Sequence, residues 1–123
     1  MITICRKFSF NSKHHLPDYD GKCKKEHGHT WYLEIEIAGQ VRPDGPKQGM
    51  IMDFGHLKDI YENTIHQIID HDDLNMLIRN PTAENLVAEF ARMLKPELPV
   101  GIMLTRLRLY ESLDSFAEWR NYP

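Results

Sequence analysis

Apolar and polar residues alternate along the first part of the chain. Between Ile2 and Phe10 the even positions are mostly apolar and the odd positions are mostly polar, which predicts a half-buried β-strand. The alternation returns between His29 and Val41, where one face of a second predicted strand carries Trp31, Leu33, Ile35 and Ile37. The polar residues 11–26 contain proline and glycine, and we expect them to form a loop between the two strands.

After Asp53 the apolar residues recur every three or four positions, which is typical of an amphipathic helix. Asp53 can cap this helix. The expected buried stripe of this first helix is Leu57, Ile60, Tyr61, Ile65, Ile68 and Ile69. A second helix is predicted to begin at Pro81 and Thr82 and to end before Pro96. Its expected buried stripe is Leu86, Val87, Phe90, Ala91 and Leu94.

Two further strands are predicted near the end of the chain, at Met103–Tyr110 and Phe116–Tyr122. The apolar positions of the first of these are Met103, Leu107 and Leu109. The order of elements, ββααββ, predicts an α+β fold with a four-stranded antiparallel sheet and two helices on one face. The length of 123 residues fits a single domain over residues 1–123.

Composition and charge narrow the classes of function. The net charge of −3 and the lack of a basic stripe argue against nucleic acid as a partner. No apolar run approaches the roughly 20 residues that a membrane helix needs, and the first residues do not resemble a signal peptide. We therefore expect a cytoplasmic protein. Its two cysteines do not form a disulfide framework.

Histidines are concentrated at the start of the chain, where four of the seven lie within the first 29 residues. His27 and His29 are two positions apart, so in a strand both imidazoles point the same way and can bind one metal ion. If the backbone stays extended beyond Phe10, His14 shares the face of Phe10 and His15 points away. Three such nitrogens would form an open site that suits zinc, whereas two surface histidines and a loop histidine are an equal alternative.

Cys23 lies among three lysines just before this histidine pair. Nearby positive charge lowers the pKa of a thiol, so Cys23 has three interpretations: a fourth metal ligand, a base beside the metal, or an ordinary loop thiol.

Asp70 and His71 are a carboxylate and an imidazole that can pair only if the helix has ended before them. Glu111 has the parity of the apolar strand positions, so its carboxylate needs donors from arginines or from a ligand.

Six motifs in order along nearly the whole chain resemble the 6-pyruvoyltetrahydropterin synthase family, most closely its bacterial branch in the queuosine pathway. They are FSFNSKHHLP (Phe8–Pro17), CKKEHGH (Cys23–His29), MIMDFGHLK (Met50–Lys58), IDHDDLN (Ile69–Asn75), the Asn-Pro-Thr-x-Glu segment at residues 80–84 and LRLYES (Leu107–Ser112). The three-residue gap between Cys23 and His27 is similar to that of the bacterial branch.

The resemblance implies a role for each matching residue. The zinc ligands would be His14, His27 and His29, and Cys23 would be the proton acceptor. Catalysis would also involve Asp70, His71 and Glu111. Glu111 would also bind the pterin, as would Thr82.

The resemblance also implies an activity and an assembly. The chain would be a zinc-dependent carbon–carbon lyase that converts 7,8-dihydroneopterin triphosphate to 6-carboxy-5,6,7,8-tetrahydropterin, acetaldehyde and triphosphate. The implied architecture is the tunnelling fold, in which subunits assemble into a trimer or hexamer with active sites between them. Two alternatives stay open: elimination of triphosphate to give 6-pyruvoyltetrahydropterin, and a noncatalytic oligomer stabilised by a metal.

Overall fold

The computed structural model describes residues 1–21 and 27–121 of the chain. Within these ranges the strands form one mixed sheet in the order β3-β1-β2-β4-β5. The strands are β1 (Ile2–His14), β2 (His27–Gly39), β3 (Asp72–Asp73), β4 (Met103–Ser112) and β5 (Ser115–Arg120). The predicted antiparallel sheet corresponds to β1, β2, β4 and β5, and β3 adds a fifth, very short strand parallel to β1.

Along the sequence, the helices come after β1 and β2 and before β4 and β5, as predicted. They are α1 (Phe54–Tyr61), α2 (Gln67–Ile69) and α3 (Ala83–Leu94), and a π-helical segment (Glu62–His66) joins α1 to α2. The side chain of Asp53 accepts the Gly55 N–H at the start of α1, and the Thr82 hydroxyl accepts the Asn85 N–H at the start of α3. The predicted Asp53 cap is therefore confirmed, and Thr82 caps the second helix at its predicted start.

One apolar cluster lies between the sheet and the helices. The predicted inward face of β2 is fully buried, and the ring of Phe10 on β1 meets the ring of Phe90 on α3 edge to face at 6.1 Å. The predicted stripe of α3 is buried throughout. In the first helical region, however, Ile68 is 47% exposed and not buried as predicted.

Two strand predictions were wrong in detail. Residues 11–14 belong to β1 and not to a loop, because hydrogen bonds satisfy their polar groups: Ser12 Oγ donates to the Asp72 carbonyl at 2.6 Å, and Thr30 donates to the Asn11 side chain. In β4, Met103 is exposed and does not share the buried face of Leu107 and Leu109 as predicted, and Leu104 is buried in its place. A register shift opposite Glu36 and Ile37 inverts the alternation at that end of β4.

In the part of the chain that the structure describes, every helix is too short or too polar to cross a bilayer.

Candidate metal centre and adjoining cleft

Two histidines and a glutamate from three neighbouring strands meet at one end of the sheet. His14 Nε2 lies 3.2 Å from Glu111 Oε1, and His29 Nε2 lies 3.9 Å from the same oxygen. One ligand atom of each residue lies within 4.8 Å of those of the other two. The structure therefore brings His14, His29 and Glu111 together as a group that could hold a metal ion. We refer to these three residues as the metal-ligand group.

His14 reaches this group because β1 stays extended to its last residue. Its side chain is only 1% exposed and continues the buried face of Phe8 and Phe10, as parity predicted. Its Nδ1 lies 2.8 Å from the Pro81 carbonyl, which can only accept, so Nδ1 carries the proton of the neutral ring. Nε2 then presents its lone pair to the group, which is the arrangement that a metal-binding histidine requires.

The electrostatic surroundings of His14 act in opposite directions. Burial alone would lower the pKa of this imidazole. The Glu111 carboxylate and the Pro81 carbonyl outweigh burial and raise the pKa above its ordinary value. In the protein without metal, His14 therefore attracts a proton at the position where a cation would bind.

The sheet register fixes the other two positions. His27 is directly opposite His14 in the β1–β2 ladder, and His29 is opposite Ser12. The ring of His29 stacks on Trp31 with 4.4 Å between centroids, and Trp31 Nε1 donates to the Ser12 carbonyl at 3.3 Å. The side chain of His27 is outside the described part of the structure, as is Cys23, so their predicted roles stay predictions.

A cleft of about 410 Å³ adjoins the metal-ligand group. His29 on β2 and His71 after α2 both line this cleft, together with Asn11, Ser12, Lys13, Gly28, Thr30 and Asp72. His29 of the metal-ligand group and His71, a predicted catalytic residue, therefore line the same cleft within one chain.

Asp70 and His71 pair because the helix ends just before them. Asp70 has an extended backbone with ψ of 130°, and His71 has φ of 58°, so neither continues α2. Asp70 Oδ2 lies 3.4 Å from His71 Nε2, and Asp70 Oδ1 accepts the Asn11 N–H at 2.9 Å. A left-handed backbone at a histidine is uncommon, and here it turns a 75% exposed imidazole toward the cleft.

Glu111 lines a second, smaller cleft of about 250 Å³, to which the start of α3 contributes Ala83 and Glu84. The predicted binding residue Thr82 caps this helix and follows Pro81, whose carbonyl contacts His14. The Pro81 carbonyl therefore connects the start of α3 to His14 of the metal-ligand group.

Sequence reasoning missed several residues that hold this site in place. Asn75 makes two hydrogen bonds with the backbone of His15, and the backbone of Asn11 holds Asp70 and His71. His66 lies 3.3 Å from Asp70. Asn75 lies within a recognised motif, which was a signal of its importance, whereas Asn11 acts through its backbone and leaves no pattern in the sequence.

The residues present fit a metal ion. Imidazole nitrogens with a nearby carboxylate form a donor set that suits zinc and also other transition metals. The fit rests on the Pro81 contact, which leaves His14 Nε2 aimed at the His29 and Glu111 ligand atoms.

Comparison with known proteins gives consistent results. The family model described as 6-pyruvoyl tetrahydropterin synthase matches residues 3–122. The chain is 42% identical to 6-carboxy-5,6,7,8-tetrahydropterin synthase of Haemophilus influenzae, with 98% of this chain and 99% of the relative covered. It is 33% identical to the protein of the same name from Rickettsia felis, with 96% and 99% covered. The solved structure of Caenorhabditis elegans 6-pyruvoyl tetrahydropterin synthase superposes with a TM-score of 0.81 at 23% identity over 98% of this chain and 96% of that one, a likeness of fold.

Proposed function

Because this chain belongs to the 6-pyruvoyl tetrahydropterin synthase family, we propose that it is a zinc-dependent lyase that converts 7,8-dihydroneopterin triphosphate to 6-carboxy-5,6,7,8-tetrahydropterin, acetaldehyde and triphosphate in the biosynthesis of queuosine. The names of its curated relatives support the enzyme class. The observation that carries the proposal is that His14, His29 and Glu111 converge beside a cleft that His71 also lines.

We assign the metal to His14, His27 and His29. His14 presents Nε2 because Pro81 holds Nδ1, and the β1–β2 register places His27 opposite His14. Bound zinc would supply Lewis acidity toward the hydroxyl groups of the substrate side chain.

Glu111 is assigned to the pterin. Its carboxylate is 38% exposed and lines the smaller cleft, so it can accept the adjacent N–H groups of an aminopyrimidinone ring. Thr82 lies at the start of α3, beside the smaller cleft, and is assigned to the same binding pocket.

Proton transfer is assigned to Cys23 and His71. The Cys23 thiolate would remove a proton from the substrate side chain, and His71 would accept and return protons across the cleft. Asp70 contacts His71 Nε2 and accepts the Asn11 N–H, so it can orient the imidazole.

The working assembly is proposed to be a cytoplasmic trimer or hexamer in which a neighbouring subunit completes each active site. The exposed edge strand β5 and the apolar side chains exposed near the start of β1 support association between copies. Size-exclusion chromatography with light scattering measures the subunit number, and a monomer would contradict this assembly.

The decisive experiment is incubation of the zinc-loaded protein with 7,8-dihydroneopterin triphosphate, followed by mass spectrometry of the products. Release of acetaldehyde with 6-carboxy-5,6,7,8-tetrahydropterin supports the proposal. Elimination of triphosphate without loss of carbon would instead identify the pyruvoyl-forming activity, and an unchanged substrate would overturn both.

Cys23→Ala tests the assigned base, and Cys5→Ala is its matched control because Cys5 is an exposed thiol on β1. We expect Cys23→Ala to keep zinc and oligomeric state but to lose turnover by roughly 10²-fold or more. We expect Cys5→Ala to keep normal turnover. A Cys23→Ala protein with the wild-type rate would rule out the assigned role.

A further inference from the structure

A series of polar contacts leads from the apolar core to the cleft. The Tyr61 hydroxyl lies 2.9 Å from His66 Nδ1, and His66 Nε2 lies 3.3 Å from Asp70 Oδ2. The same carboxylate oxygen lies 3.4 Å from His71 Nε2. Tyr61 is 2% exposed and stacks on Phe8 at 4.2 Å, so the first member of the series is fixed by packing.

The π-helical segment explains why Tyr61 and His66 meet. Residues five apart on an α-helix are separated by about 140° around its axis and do not face each other. Here the Gln67 N–H donates to the Glu62 carbonyl five residues earlier, which widens the turn. His66 is then four residues from Asp70, at the spacing that brings side chains together on a helix.

The direction of the first hydrogen bond follows from the Asp70 carboxylate, which can only accept. His66 Nε2 faces Asp70 Oδ2 at 3.3 Å, so the neutral imidazole of His66 carries its proton on Nε2. Its Nδ1 is then the acceptor, and the Tyr61 hydroxyl donates to it. Burial, with the charges of Asp70 and Glu62, raises the pKa of Tyr61 well above its ordinary value, so the phenol keeps the proton that it donates.

Asp70 is consequently held from two sides. The Asn11 N–H donates to Oδ1 at 2.9 Å, and the protonated Nε2 of His66 faces Oδ2. A carboxylate with this orientation favours a proton on the nearby Nε2 of His71. The other ring nitrogen, Nδ1, then carries the lone pair of His71.

We propose that Tyr61 and His66 are positioning residues that orient Asp70, so that His71 keeps its proton on Nε2 and offers Nδ1 as the base in the cleft. The effect on tautomer depends only on the contacts between Tyr61, His66, Asp70 and His71. The effect on turnover rests on the proposed function.

The test compares three variants of the full-length, zinc-loaded protein with two controls. His66→Leu removes both contacts of the ring, His66→Gln keeps an amide that can donate to Asp70, and Tyr61→Phe keeps the ring stacked on Phe8 without the hydroxyl. His56→Gln changes an exposed histidine on α1. Tyr110→Phe removes a tyrosine hydroxyl that bonds to Glu34 at 3.3 Å, outside the series.

The tautomer of His71 is read by long-range ¹H–¹⁵N correlation in protein with ¹⁵N-labelled histidine, with assignment by His71→Gln. We expect wild type, His66→Gln and both controls to show the Nε2–H form, and His66→Leu and Tyr61→Phe to show a mixture of tautomers. We expect kcat to fall roughly tenfold in His66→Leu with little change in KM, because acid–base catalysis as a whole supplies about 10²–10⁴-fold. His66→Gln should recover most of that loss.

An unchanged His71 tautomer in His66→Leu and Tyr61→Phe would overturn the proposal, and so would the same loss of kcat in His66→Leu and His66→Gln. If either His66→Leu or Tyr61→Phe fails to fold, the His71 tautomer measured in the other variant decides whether the proposal holds. If the wild-type protein does not turn over the pterin substrate, the proposed function fails while the tautomer measurement still decides this inference.

Discussion

The side chain of Asn75 makes two hydrogen bonds with the backbone of His15. Its Oδ1 accepts the His15 N–H at 2.9 Å, and its Nδ2 donates to the His15 carbonyl at 2.9 Å. The same Nδ2 also donates to the Arg79 carbonyl at 3.1 Å. Since His15 directly follows His14, Asn75 fixes the end of β1 at the point where that strand contributes His14 to the group that could hold a metal ion.

Asn75→Ala should weaken both the fold and the metal site. The loss of these hydrogen bonds should lower the free energy of unfolding by about 1–3 kcal/mol. Zinc affinity should fall by roughly 10-fold, a typical effect of losing a residue that orients a ligand. Chemical denaturation and competition with a chelator measure the two quantities. Asn121→Ala is the control, at an exposed position after β5, and equal effects of the two substitutions would contradict the assigned role of Asn75.

Glu111→Gln tests whether Glu111 binds the pterin or the metal ion. If His14, His27 and His29 hold the zinc and Glu111 binds the pterin, the variant should keep about one zinc per chain while its affinity for a pterin falls by roughly 10-fold or more, since a charge-assisted hydrogen bond is lost. Metal analysis and calorimetric titration with a pterin measure the two. Loss of zinc with unchanged pterin binding would make Glu111 the third ligand in place of His27, consistent with its 3.2 Å distance from His14.

The part of the site that depends on strand parity could be predicted from sequence. His14 and Glu111 each continue an apolar alternation, so their common face followed from the two-residue period of a strand. The pairing of Asp70 with His71 was predicted to require the end of the helix, and α2 does end at Ile69. These inferences concern spacing along one element, which a sequence records directly.

The parts that were missed depend on where the backbone departs from regular geometry. The π-helical segment places His66 beside Tyr61 and shifts the side chains that follow, so Ile68 is exposed although it has α-helical spacing. The bulge in β4 exchanges Met103 and Leu104 in the same manner. Such insertions are determined by hydrogen bonds and packing across the fold, and a periodic pattern does not encode them.

Thr82→Ala and Thr82→Ser separate capping from substrate binding. The Thr82 hydroxyl accepts the Asn85 N–H at 3.1 Å, so Thr82→Ala should lower the free energy of unfolding by about 1 kcal/mol, whereas Thr82→Ser should keep the cap. If the hydroxyl also binds the pterin, Thr82→Ala should raise KM and Thr82→Ser should not. Thermal unfolding and steady-state kinetics check both effects, and an unchanged KM in Thr82→Ala would remove Thr82 from the binding pocket.

Glu118 on β5 should make the stability of the sheet dependent on pH. Its two carboxylate oxygens lie 2.6 Å from Arg108 Nε and 2.6 Å from Arg120 Nε. The hydrogen bond from Arg108, with further help from Arg120, lowers the pKa of Glu118 below its ordinary value of 4.5. A carboxyl whose folded-state pKa is lowered stabilises the fold above its unfolded-state pKa and loses that effect as the pH falls through the folded-state value.

Glu118→Gln should therefore reduce the free energy of unfolding at pH 7, and its difference from wild type should shrink as the pH falls below about 4.5. A double-mutant cycle with Arg108→Gln isolates the pair, since the coupling energy should be favourable at pH 7 and should decrease as the pH falls below 4.5 and the carboxylate is protonated. Added salt should weaken the coupling at pH 7, because both groups are partly exposed. A coupling that does not change between pH 7 and pH 3 would show that the contact between Glu118 and Arg108 does not depend on the charge of the carboxylate.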